Sequence, residues 1–504
     1  MNFLNQNTFI KDRSDRIDRS DILAMILLLV FWCVFLRKSP AALHQALVDD
    51  AYIFQRVVDN VWDGRGWTYN TDVQVNPITS PFYALVLLGG KFFALPAQFT
   101  IGGIYCSALI LLGIGIYLGM RQYGRLLAWT MAVTVSSGSI FVSSWGMETS
   151  TFMACIVWAT LVFTRKHYRM AGLLCAFASL SRPEGMAMIG ILTGVHLLKD
   201  RKIPWGMIAV FCVALTPWLL FTWFTYGYIL PNSVSVKAIQ ADMAWLRPLG
   251  HWSMYFLTQP KMPWITYPLA LFGGFYAWRE YVGGKPFMLV VMVFGILQVI
   301  AYSMMHAPIG YFWYLAPGNL TIDMAVVFGL YKILKAILSC MQVNAGVNIN
   351  EHFRVLLVFL LTFFGTFKFA STPYTLLKPY RLGDDYTKAG VWINQNTPKD
   401  TVVAATEIGY IGYFSNRKIR DIHGLIHPES LPFLKKEAWE WWYKTNPPQI
   451  IVMHKPAWPG EPALVLGGIW RLCEILKTDI EWSEILELSK SIGGELTLTV
   501  DSRI

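Results

Sequence analysis

The sequence predicts a mainly α-helical, polytopic membrane protein with a small α/β domain at its C-terminal end, and three observations carry that expectation. Only 15% of the 504 residues are charged while 55% are hydrophobic, against roughly 25% charged in an ordinary soluble chain. Long apolar runs alternate with short basic clusters, the trace left by the positive-inside bias. From about residue 372 the chain changes character, with more charge, more turn residues and no further apolar run.

Taken in order, the opening stretch "MNFLNQNTFIKDRSDRIDRSD" is too polar and too long for a cleaved signal peptide, so residues 22–36 are read as a retained first span. Further apolar runs fall near 101–120, 126–143, 148–164, 169–181, 184–198, 204–224, 264–278, 287–304, 314–334 and 353–370. A span takes about 20 apolar residues, so the shorter runs must borrow flanking residues or line cavities. The basic clusters "KDRSDRIDR", "RQYGR", "RKHYR", "KDRK", "REYVGGK" and the segment 332–354 lie between them. Placing all six in the cytoplasm gives eleven transmembrane helices with the N-terminus inside and residues 372–504 outside. It also requires 80–96 to lie on the outer leaflet without crossing, which suits the lone Lys91. The net charge of +10 then belongs to inner loops and not to a nucleic-acid surface. The seven cysteines lie mostly in apolar runs with no CxxC, so neither a disulfide framework nor a zinc site is expected.

The boundary falls at 371/372, between a transmembrane module (1–371) and an α/β domain (372–504). In the second part "KAGVWINQNTP" reads as a helix stopped by Pro398. "DTVVAATEIGYIGYFSNRKIRDIHGL" reads as strand, helix, strand; "PPQIIVMHK" and "GGELTLTV" supply further strands. No Gly-rich phosphate loop or GxSxG is present, so nucleotide and hydrolase chemistry have no anchor. No internal repeat is visible, which weighs against an inverted-repeat transporter.

The unusual residues gather in the loops assigned to the outside. Asp49 and Asp50 follow the first span in "LVDDAYIFQRVVDNVW". A carboxylate there can take a proton from an acceptor hydroxyl or stabilise positive charge on a sugar; it can equally cap an amphipathic helix. In "SRPEG", Arg182 and Glu184 stand between two apolar runs. Charges at membrane depth mark function or a buried pair, so Arg182 reads either as a fork for a lipid phosphate or as half of a hairpin ion pair. Glu148 in "WGMETS" is a second acid or a helix N-terminal acid. Lys237 in "LPNSVSVKA" is a phosphate contact or an interfacial lysine. His306, Tyr311 and Tyr314 in "HAPIGYFWYLAP" could stack on a sugar or form part of an aromatic belt. His423 and His427 with Glu429 make a poor zinc set, lacking helical spacing and a distant third ligand. Glu407 reads as a cap or a surface acid.

Together these stretches resemble the GT-C class of integral membrane glycosyltransferases, marked by an acidic pair directly after the first span. "DDAYIFQRVVDNVWDGRGWTYNTDVQVNPITSPFYALVL", "SRPEG", "LPNSVSVKA" and "EIGYIGYFSNRKIRDIHGL" look like the corresponding blocks of bacterial terminal arabinofuranosyltransferases of the mycobacterial cell wall and of type IV pilin. The blocks run in order from residue 49 to about 425; the part beyond, with Trp439, Trp441 and Trp442, departs from the pattern and is expected to be acceptor-specific. The resemblance implies a polyprenyl-phosphate sugar donor, most naturally D-arabinofuranose on a decaprenyl- or undecaprenyl-type lipid. It implies a cell-envelope glycan or pilin-like acceptor and a multi-pass protein of the bacterial inner membrane with its active site facing the periplasm. It puts the catalytic acid at Asp49 with Asp50 as its neighbour, and Arg182 and Lys237 become candidates for the donor phosphate. No cofactor is fixed: "DD" with "DGRGWTYNTD" leaves room for a divalent metal, though no DxD appears. The rivals are a GT-C mannosyltransferase using lipid-phosphate mannose and a transporter or flippase of lipid-linked sugars.

Overall fold

The computed structural model describes residues 17–37, 47–138, 140–141, 144–242, 263–305, 312–345, 381–436, 438, 441–444, 448–455 and 496–501. The apolar run at 353–370, and His306, Tyr311 and Trp439, lie outside the described residues. The helical part comprises α1 (Arg19–Arg37), α2 (Asp49–Trp62), α3 (Pro81–Lys91), α4 (Ala97–Met120), α5 (Arg125–Ser136), α6 (Thr149–Thr164), α7 (Tyr168–Ser181), α8 (Met186–Asp200), α9 (Trp205–Tyr226), α10 (Asn232–Asp242), α11 (Pro263–Val282), α12 (Phe287–Met304) and α13 (Ala316–Ala345).

Among the described residues, three stretches are long and apolar enough to cross a membrane: Ala97–Tyr123, Trp205–Tyr226 and Phe287–Met304. The remaining helices are shorter or carry charged side chains. α9 is apolar on every side, and its Val213, Trp223 and Phe224 are exposed. That surface suits hydrocarbon better than water. α3 has 11 residues, about 16 Å at 1.5 Å per residue, against a hydrocarbon core of roughly 30 Å. It cannot cross alone.

The helices approach one another at glycines, as expected where lipid removes the hydrophobic drive between helices and close van der Waals contact must replace it. A Cβ on Gly273 of α11 would overlap the carbonyl of Ala325 in α13, and one on Gly329 of α13 would overlap the carbonyl of Leu269. By contrast, a Cβ on Gly274 would meet nothing closer than the Met292 methyl at 3.7 Å. Gly273→Ala should therefore lower the thermal midpoint of the purified protein, by the roughly 1–3 kcal/mol typical of overpacking. Gly274→Ala should leave it unchanged. Equal midpoints for the two variants would refute close α11–α13 contact at this point.

The C-terminal part contributes α14 (Arg381–Asn396), β1 (Val402–Ala405), α15 (Ile408–Ser415), β2 (Lys418–Asp421), α16 (Leu431–Leu434), α17 (Trp441–Lys444), β3 (Ile450–Lys455) and β4 (Leu496–Asp501). The strands form a parallel sheet in the order β2-β1-β3-β4, with Val403 opposite both Ile419 and Ile450. Alternation along each strand assigns its two faces to different layers. Val403, Ala405, Ile419, Ile450 and Val452 join the same core as Tyr52, Val57 and Tyr69 of the first loop. Ala404 and Ile451 point the other way, into a smaller core with Trp441, Trp442 and Val236 of α10. The sheet is thus clamped between α2 with the loop after it on one face and α10 with the Trp441–Trp442 segment on the other.

Candidate active site

α2 begins at Asp49 because Val48 is extended (φ −68°, ψ 145°) and its N–H is taken by the Trp145 carbonyl at 3.0 Å. Both acids fall in the first helical turn, where the orphan N–H groups favour negative charge. The helix then points them in different directions.

Asp49 is 6% exposed. Its Oδ2 accepts the N–H of Gly409 and its Oδ1 that of Tyr410, both at 2.7 Å, and its side chain is also hydrogen-bonded to Glu407. These donors are the free N-terminal amides of α15. Asp49 therefore caps a helix 360 residues away, and α2 has no side-chain cap of its own. Burial pushes the Asp49 carboxyl up to about 7, against the pull of the two amides.

Asp50 is half-buried. Burial raises its carboxyl pKa and the ammonium of Lys237 opposes that shift. Lys237, brought in by α10, donates to the Tyr314 hydroxyl at 3.2 Å. The α10 helix is held in turn by Asn232, whose amide donates to the carbonyls of Gly424 and Leu425 at 3.0 and 2.9 Å.

Arg182 is the hub behind this pair. The turn Pro183–Gly185 folds so tightly that a Cβ on Gly185 would overlap the backbone of Ala178. The turn thereby brings Arg182 and Glu184 together. Arg182 Nη1 donates to Glu148 at 2.7 Å and Nη2 to Glu184 at 2.9 Å. Its guanidinium lies over the Tyr314 ring at 4.3 Å. Tyr302 donates to Glu184 and stacks on Tyr314 at 5.1 Å, and Gln298 donates to the Tyr314 carbonyl at 2.7 Å. Arg182 and Glu148 are 4% and 3% exposed. Such a geometry matches the hairpin ion pair, enlarged by a second carboxylate. Glu148 Oε2 and the hydroxyls of Thr149, Ser150 and Thr151 are buried without a partner among the described residues.

Of the residues singled out in the sequence, Asp50, Glu148, Arg182, Glu184, Lys237 and Tyr314 thus come together. Asp49 faces the N-terminal end of α15, and His306 and Tyr311 lie outside the described residues. His427 is committed to Glu429 at 2.9 Å and to the Ile419 carbonyl at 3.1 Å. Among the described residues no three His, Cys, Asp or Glu side chains gather as metal ligands. Sequence reasoning passed over Tyr302 and Gln298, single polar residues in an apolar run. It also passed over Arg56, Tyr69 and Asn70. Arg56 donates to the carbonyls of Gly412, Tyr69 and Arg417. The Asn70 amide pairs with both the N–H and the carbonyl of Ile419, at 3.1 and 2.8 Å. A lone arginine on the apolar face of an amphipathic helix was the available signal.

A family model described as a domain of unknown function, DUF8728, matches residues 378–492. No curated protein matches the chain. Two solved structures of ArnT from Cupriavidus metallidurans resemble it. The one bound to undecaprenyl phosphate is 14% identical, with a TM-score of 0.54 over 81% of this chain and 88% of that one. The apo form is 15% identical, with a TM-score of 0.55 over 79% and 84% of the two chains. At such identities the likeness is one of fold: this chain has the fold of ArnT.

Proposed function

We propose that this chain is an integral membrane glycosyltransferase of the GT-C class, taking a sugar from a polyprenyl phosphate at the outer face of the inner membrane. The observation that carries the proposal is that Lys237, whose charge acts on Asp50, is bonded to Tyr314 beside the Arg182 ion pairs in a protein with the fold of ArnT. One of the ArnT structures holds undecaprenyl phosphate, which supports a lipid-phosphate donor here. Residues 1–371 form the catalytic module in this reading, and residues 372–504 an outer domain on the acceptor side.

The chemistry asks little beyond placement. Phosphate leaves readily, so the protein must hold the acceptor, remove its proton and offset the charge that grows on the leaving group. The acceptor oxygen forms a bond to the anomeric carbon while the bond from that carbon to the phosphate oxygen breaks. The acceptor proton goes to Asp50, and polyprenyl phosphate departs beside Lys237. Arg182, Glu148 and Glu184 hold Tyr314 and the neighbouring helix ends in place. D-Arabinofuranose is the proposed sugar, on the blocks quoted from residues 49 to 425, and a cell-envelope glycan or a pilin-like protein the acceptor.

Purified protein offered polyprenyl-phospho-arabinofuranose and polyprenyl-phospho-mannose separately tests both levels. Release of polyprenyl phosphate from the arabinose donor is the expected result. Turnover of mannose alone would keep the class and replace the sugar. Binding of either lipid with no turnover in the presence of varied hydroxyl acceptors would favour a carrier of lipid-linked sugars.

A further inference from the structure

We infer that Asp49 and Asp50 divide the work of the acidic pair: Asp50 does the chemistry, and Asp49 is a positioning residue that locks the catalytic helix to the sheet domain. This inference rests on the transferase reading above. Both Asp49 carboxylate oxygens are occupied by the N-terminal amides of α15, with little surface left to meet an acceptor. The contact is also sterically specified from the other side. A Cβ on Gly409 would overlap the Asp49 carbonyl, and one on Gly412 would overlap the Tyr69 hydroxyl. Only a helix with glycine at these two positions lies this close to α2.

The remaining contacts have the same sense. Tyr410 donates to the Leu47 carbonyl at 3.0 Å, Tyr69 to the Ile408 carbonyl, and Arg56 to the carbonyls of Gly412 and Arg417. Tyr52 packs on Tyr410, Tyr413 and Phe414 with ring centroids 4.5–5.3 Å apart. Every one of these groups on the loop side lies in residues 47–69: Leu47, Asp49 and Tyr52 at the start of the helix that carries Asp50, Arg56 in its middle and Tyr69 beyond its end. The outer domain thereby fixes the entry of α2, and Asp50, one residue along, inherits its orientation from that contact.

The test compares full-length Asp49→Asn, Asp49→Ala, Gly409→Ala and Asp50→Asn in turnover, in the pH dependence of turnover, and in protease resistance of the domain. Asn keeps one acceptor oxygen for an α15 amide. Asp49→Asn is therefore expected to lose less than the roughly hundredfold that removal of a general base costs at least, with the wild-type acid limb. Asp49→Ala and Gly409→Ala should each lose about a hundredfold or more and expose the domain to protease, although Gly409→Ala retains both acids. An Asp49→Asn protein as inactive as Asp50→Asn, with the domain still protected, would make Asp49 the base and overturn the division. Unchanged protease resistance in both Asp49→Ala and Gly409→Ala would overturn the lock, whatever the turnover. A wild-type protein inert toward lipid-linked sugars would sink the transferase reading alone, and the protease comparison would still decide the lock.

Discussion

Asp50→Asn should reduce sugar transfer by about 10²–10⁴-fold, the range over which a positioned general base contributes, and leave the protein folded. Asparagine has nearly the same shape as aspartate, and Asp50 is only half-buried, so the exchange removes the proton acceptor with little disturbance of packing. It also removes the negative charge that faces Lys237, so affinity for the anionic donor should hold or rise while kcat falls. A drop in kcat with donor KM unchanged or lower is therefore the expected signature. Size-exclusion behaviour and thermal midpoint should match wild type. A variant with wild-type kcat would remove Asp50 from the mechanism, and the base would then have to be sought at Glu148, whose second oxygen has no described partner.

Much of this site was legible because its residues break a local rule. Charges between apolar runs are costly, and that alone drew attention to Arg182 and Glu184, which the structure finds paired. Paired acids after a first span suggested either chemistry or a helix cap, and the structure makes one of them, Asp49, a cap. The cap, however, serves α15 and not α2. No periodicity could have revealed that, since the two partners are 360 residues apart and helix-end amides look the same in any sequence. Gly409 and Gly412 were visible only as part of "EIGYIGYF"; their necessity appears once α2 is laid against them. The same holds for Asn70, an ordinary loop residue until its amide is seen standing in for a strand beside Ile419. The α/β pattern of residues 402–455 was plain from turn residues and β-branched runs. The layering of the two faces of the sheet was not, because one face is filled by residues from α2 and the loop after it.

Arg182→Ala should be the most destabilising of the single changes considered. Removing one member of a buried ion pair typically costs roughly 3–5 kcal/mol, since the charge left behind has no partner. Here two carboxylates, Glu148 and Glu184, lose the same guanidinium, and Tyr314 loses the cation over its ring. The thermal midpoint in detergent should fall accordingly, and donor and acceptor use should suffer together. The counter-variant supplies the control. Glu148→Met and Glu184→Met combined with Arg182→Met remove all three charges at similar volume, and replacing a buried ion network by apolar side chains is often neutral or better. The triple variant should therefore recover most of the lost midpoint. Its activity then separates two roles that the ion-pair geometry alone leaves joined. Recovery of turnover along with stability would make Arg182 a strut that holds Tyr314 beside Lys237. Recovery of stability with donor KM still raised would mean that Arg182 exchanges a carboxylate for the lipid phosphate when donor arrives, as its planar fork permits.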